Sequence, residues 1–146
     1  MYKKCALALA LALPCAAQAI ELGKGLMCEI SAADFFQPLV QRRIIDINPY
    51  VVEDSVNYFH PTNRQLIMKK ADRLLAFDMK VNAVFGYARD QVMFRRGPGT
   101  EPPNIFGVIV NESIGNVQAQ LSNVGAYKAK TRRVTSNTTE IFCEDI

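Results

Sequence analysis

One histidine, His60, and no tryptophan occur in the 146 residues, and neither sign of charge dominates. Zinc and transition-metal sites usually draw on several His and Cys ligands, so a lone imidazole argues against them. A serine or cysteine nucleophile would have to use His60 as its base, and no nucleophile-elbow pattern is present. His60 precedes Pro61 at a turn and reads as a rim side chain. Gly97-Pro98-Gly99 has neither the length nor the following Lys-Ser/Thr of a phosphate loop. Asp46, Asp54 and Asp72 are too scattered for a calcium loop. Glu53 and Asp54 are neighbours on a strand candidate and point to opposite faces, the wrong arrangement for a shared acid-base pair. Asp72 and Asp78 fit a solvated polar face. The expectation is a protein that is not an enzyme, with no metal and no cofactor; a carboxylate-based hydrolase is the residual catalytic class.

A long apolar run is also missing. Residues 5–13 are apolar, too few to span a bilayer, and no later stretch is longer. Their setting identifies them. Lys3 and Lys4 precede the run, Pro14 breaks it, and Ala17-Gln18-Ala19 has the small-x-small form of a leader cleavage site. Residues 1–19 therefore read as a secretory signal peptide and 20–146 as one domain, with no membrane span after cleavage. Cys15 raises a lipoprotein alternative, but Pro14 occupies the place where lipid attachment wants a small residue.

Cleavage removes Lys3, Lys4, Cys5 and Cys15. Of the 17 Lys and Arg residues, 15 then face 14 acidic ones, so bulk charge offers nucleic acid nothing. The two cysteines left, Cys28 and Cys143, would meet in an oxidising compartment and are expected to form one disulfide joining the ends of the domain. The compartment expected is periplasmic, with an extracellular destination as the alternative.

Residues 74–96 hold the strongest pattern. Leu75, Phe77, Met79, Val81, Ala83, Phe85 and Tyr87 fall on every second position, as in a strand with one face in a core. After a polar break, residues 91–95 are expected to fold back as a second strand. Earlier, residues 26–30, 44–47 and 51–59 read as strands, and Ser31 or Asp34 caps a helix that ends near Arg42 and Arg43. Residues 60–73 are open between a helix begun at Thr62 and a hairpin turned at residues 60–63; the flanking strands favour the hairpin. Later, residues 105–110 form an apolar strand. Ser113 caps a helix with Ile114, Val117, Leu121 and Val124 as its buried stripe, closed by Gly125. A final hairpin pairs residues 127–135 with 138–143 across Ser136-Asn137. The sum is an α+β fold: an antiparallel-rich sheet of about six strands with two helices packed on one face.

Two basic clusters carry the functional expectation. Arg95 and Arg96 abut Gly97, Pro98 and Gly99, and Lys128, Lys130 and Arg132 alternate along a strand. Both could meet an anionic partner, although lysines on an edge strand also guard against unwanted sheet pairing. The outer face of the second helix (Asn116, Gln118, Gln120, Ser122, Asn123) is uncharged and suits either a protein contact or plain exposure. Asn111-Glu112-Ser113 and Asn137-Thr138-Thr139 match the glycosylation acceptor pattern. The expectation is a small exported binding protein of the bacterial envelope, an inhibitor or immunity-type protein acting on another protein such as a wall-degrading enzyme or toxin. The alternatives are an accessory component of an envelope or secretion assembly, or a carrier of a small apolar ligand.

Overall fold

The computed structural model describes residues 19–62, 74–89 and 92–144. Residues 1–18 of the expected leader, residues 63–73 (most of the segment left open between helix and hairpin) and Gln91 at the start of the expected return strand lie outside the described residues. Among the described residues, eight strands and two α-helices build the α+β domain: β1 (Ile20–Glu21), α1 (Ala32–Gln41), β2 (Val51–Glu53), β3 (Val56–Phe59), β4 (Leu74–Ala76), β5 (Met79–Tyr87), β6 (Ile105–Val110), α2 (Ile114–Val124), β7 (Lys130–Arg133) and β8 (Thr139–Glu144). The sheet is mixed and larger than six strands, because β1 pairs parallel to β4 while the other pairs are antiparallel. Along it the order is β1-β4-β5-β6-β8-β7, and β3 with its partner β2 joins the second half of β5.

Two expected strands are hairpins. Phe77 and Asp78 take left-handed backbone (φ 50° and 64°) and turn β4 into β5; Asp54 and Ser55 (φ 48° and 69°) turn β2 into β3. Two-residue turns of this hand match the right-handed twist of the strands they join. Glycine is the usual occupant, and here side-chain contacts hold both turns instead. Ala76 lies opposite Met79, so the inward side passes from even positions in β4 to odd positions in β5. A bulge between Val81 and Ala83 then flips it again. The period-two pattern ran through both breaks, which is why it read as one strand.

Other expectations are corrected as well. Residues 26–30 hold a short 3-10 turn (Gly25–Met27) and bends, not a strand. Residues 44–47 contribute a single bridge, Ile45 to Pro61. Met93, Phe94 and Arg95 are not strand. Of the two expected caps, Ser31 is the one that caps α1, its hydroxyl accepting from the Asp34 N–H, and Pro38 lies inside the helix. Val124 is 42% exposed, and only Val117 and Leu121 of the α2 stripe are buried.

One hydrophobic core takes in the buried sides of both helices together with Val84, Phe106, Val108, Val110 and Ile141. Phe35 meets Phe106 at 4.8 Å between ring centres, and Phe36 packs on Phe59 and Phe94. The opposite face of the sheet is curled. Tyr58 of β3 reaches Glu140 of β8 although β5 and β6 lie between their strands. Phe85, with no exposed surface, stacks on Tyr58 inside that curl. Gly107 leaves room for it, since a Cβ there would meet Phe85, Phe142 and the Ile141 carbonyl. Cys28 and Cys143 are joined, 5.3 Å between Cα atoms, and fasten the N-terminal segment to β8.

Candidate functional site

Residues 95–104 form a loop held at both ends. Its entry is anchored by Phe94, which packs edge-on against Phe36 and lies beside Phe59 and Tyr87. The next residue is gripped by Asn57, a side chain with no exposed surface. Asn57 Oδ1 accepts from the Arg95 N–H and Nδ2 donates to the Arg95 carbonyl, both at 2.8 Å. A side-chain amide here pairs with backbone as a strand neighbour would. Two residues on, the Gly97 N–H donates to Ser55 Oγ at 2.8 Å, and that hydroxyl lies 3.4 Å from the Gly97 carbonyl. Ser55 is 1% exposed and occupies the left-handed position of the β2–β3 turn, which aims its hydroxyl at the loop.

The exit is held by Glu101. Its carboxylate accepts from the Tyr87 hydroxyl and from Arg89 Nε at 3.2 Å, and the Arg89 N–H donates to Asn104 Oδ1 at 3.1 Å. The hydrogen bonds from Tyr87 and Arg89 hold the Glu101 carboxyl below its ordinary pKa, and the same contact with Glu101 raises the Tyr87 phenol. Between the two legs Arg95, Arg96, Pro98, Gly99 and Thr100 are exposed. Gly99 takes φ 99°, a conformation that a side chain would strain. The backbone is thus fixed while the guanidinium groups of Arg95 and Arg96 stay in solvent.

The second basic cluster is placed elsewhere. Asn57 lies opposite Gly86, which sits beneath Phe36 on the helix side, whereas Lys130 and Arg132 lie opposite Phe142 and Glu140 on the curled side. The two clusters do not form one patch. Lys130 pairs with Glu144, and Arg132 Nε bonds Glu140 Oε2 at 2.6 Å. Lys128 is exposed and precedes the strand. Two of the three cations are therefore neutralised within the hairpin.

Glu140 itself was not singled out by the sequence. A turn at Ser136-Asn137 would set Arg132 opposite Ile141, but the register sets it opposite Glu140. The Glu140 side chain is buried and its carboxylate is held by Arg132 and by the Tyr58 hydroxyl at 3.5 Å. Burial, and then the charge of Glu140, push the Tyr58 phenol up to about 12. Near it, Tyr50 stacks on His60 at 3.8 Å, so the one histidine packs on a ring at the rim. Glu140 is committed to internal partners, and the arrangement is a structural ion pair between a buried carboxylate and a largely exposed arginine.

Among the described residues no group of three or more His, Cys, Asp and Glu could hold a metal ion, and no helix is long and apolar enough to cross a membrane. The disulfide fits a compartment outside the cytoplasm. No protein-family model, curated protein or solved structure matches the chain.

Proposed function

We propose that this chain is a small exported protein of the bacterial envelope that binds and blocks another protein, in the manner of an inhibitor or immunity protein, through the loop of residues 95–99. One observation carries the reading. Two side chains with almost no exposed surface, Asn57 and Ser55, are spent on the backbone of Arg95 and Gly97, while the arginine side chains remain in water. A loop ordered before it meets its partner loses little entropy on binding, and this is how rigid inhibitors gain affinity. Arginine and a proline-stiffened tip suit insertion into an acidic cleft, where planar guanidinium groups pair with carboxylates. Lys130 and Arg132 add less to such a contact, because Glu144 and Glu140 already neutralise them.

The test is a double charge reversal, Arg95→Glu with Arg96→Glu. Captured from envelope extract by the domain of residues 20–146, the partner should be lost to the double variant, with the melting temperature within about 2 °C of the parent because both side chains are exposed. Undiminished capture would remove the loop from the contact.

A further inference from the structure

We infer that the leader is cut before the N-terminal segment docks, so that processing precedes the completion of folding. This rests on the reading of Ala19 as the cleavage residue. Ile20 and Glu21, the first two residues beyond that bond, are themselves strand β1, opposite Leu74 and Leu75. The Leu22 N–H continues the pairing, donating to the Leu75 carbonyl at 2.7 Å.

The Glu21 carboxylate ties this segment to the β4–β5 turn. Oε1 accepts from the Gly23 N–H at 2.8 Å and the Phe77 N–H at 2.6 Å, and Oε2 accepts from the Asp78 N–H at 3.2 Å. Those two turn residues have the left-handed backbone noted above, so the carboxylate also stabilises the turn. Leu22 and Leu26 are buried in the core, a Cβ on Gly23 would stand 2.7 Å from the Phe77 ring, and Cys28 is bonded to Cys143. No spacer separates the scissile bond from this clasp.

Cleavage adds water across the Ala19–Ile20 amide: the C–N bond breaks, Ala19 leaves as a carboxylate and Ile20 as an ammonium. A peptidase takes its substrate extended on both sides of that bond, and here the far side is already paired, hooked and packed. A closed site is cut only through its open fraction, so the rate falls with the opening equilibrium. Cleavage after export as a folded body would therefore be slow, its rate set by opening of the clasp.

The experiment offers purified bacterial leader peptidase three substrates in detergent: a synthetic peptide of residues 12–27, the folded and oxidised full chain, and the full chain with six Gly/Ser residues inserted between Ala19 and Ile20. Products are read by intact mass. The peptide should be cut after Ala19, and the folded chain at least about tenfold more slowly, since cleavage there waits on opening of the clasp. The spacer should restore a rate near that of the peptide, and Glu21→Ala should give an intermediate one. Equal rates for peptide and folded chain overturn the ordering while leaving the cleavage site intact. A peptide left uncut after Ala19 overturns the cleavage reading and the ordering with it.

Discussion

Asn57 makes three hydrogen bonds from a fully buried amide, two to Arg95 and one to the Ser55 carbonyl at 2.8 Å. Asn57→Ala removes all three and strands the Arg95 backbone groups, which should cost about 2 kcal/mol in urea unfolding. Amide exchange at Arg95 and Gly97 should accelerate beyond the global change, because the loop would lose its grip before the core does. Exchange that rises only in proportion to global stability would mean that Phe94 alone fixes the loop. None of this grip was legible from residue order. Arg95 and Arg96 stood out by charge and by the glycines and proline after them, but Asn57 and Ser55 lie 38 and 42 positions away in an unremarkable strand. Such side chains betray themselves only once a chain reversal brings backbone groups beside them.

At the scale of elements, the β7–β8 hairpin separates two ion pairs by burial. Arg132→Ala leaves the Glu140 carboxyl, 5% exposed, without its cation and should cost about 2 kcal/mol or more. Lys130→Ala breaks a pair whose side chains are 57% and 36% exposed, and should cost no more than about 0.5 kcal/mol. Equal losses in chemical denaturation would show that Glu140 finds water after all. Elements defined by chemistry at their ends were readable: Ser113 caps α2 and Gly125, at φ 75°, closes it as expected. Strands were less so. Alternation survives a two-residue turn and misleads at a bulge, so β4 and β5 merge in the pattern and Phe85 falls on one face with Met79 and Val81, whereas the bulge turns it to the other. A one-residue offset in the last turn likewise hid the partner of Arg132.

For the molecule as a whole, the disulfide closes a separation of 115 residues. Replacing both cysteines with serine should lower stability by roughly 4 kcal/mol, chiefly by freeing the unfolded chain. A reduction-insensitive urea midpoint would contradict this. Alkaline pH offers an independent measure of the curled face. The Tyr58 pKa rises from 10.0 to about 12 on folding, so its contribution is complete below pH 10 and is lost as the pH climbs towards 12. Unfolding midpoints should fall across that window, and Tyr58→Phe should flatten the fall. Tyr50 and Tyr87 are raised as well and leave a residual slope.

Amino-acid order alone was enough for the α+β class, the cysteine partnership, helices α1 and α2 and the exposed arginine tip. Each rests on local chemistry (a cap, a period, two cysteines outside the expected leader) that needs no knowledge of distant neighbours. Tertiary structure decided the mixed sheet, the parallel seating of Ile20 and Glu21, the burial of Glu140 and the grip on Arg95. The reason is common to all four. A side chain's partners across strands are set by register and curl, and these emerge only when turns and bulges have fixed which residue faces which.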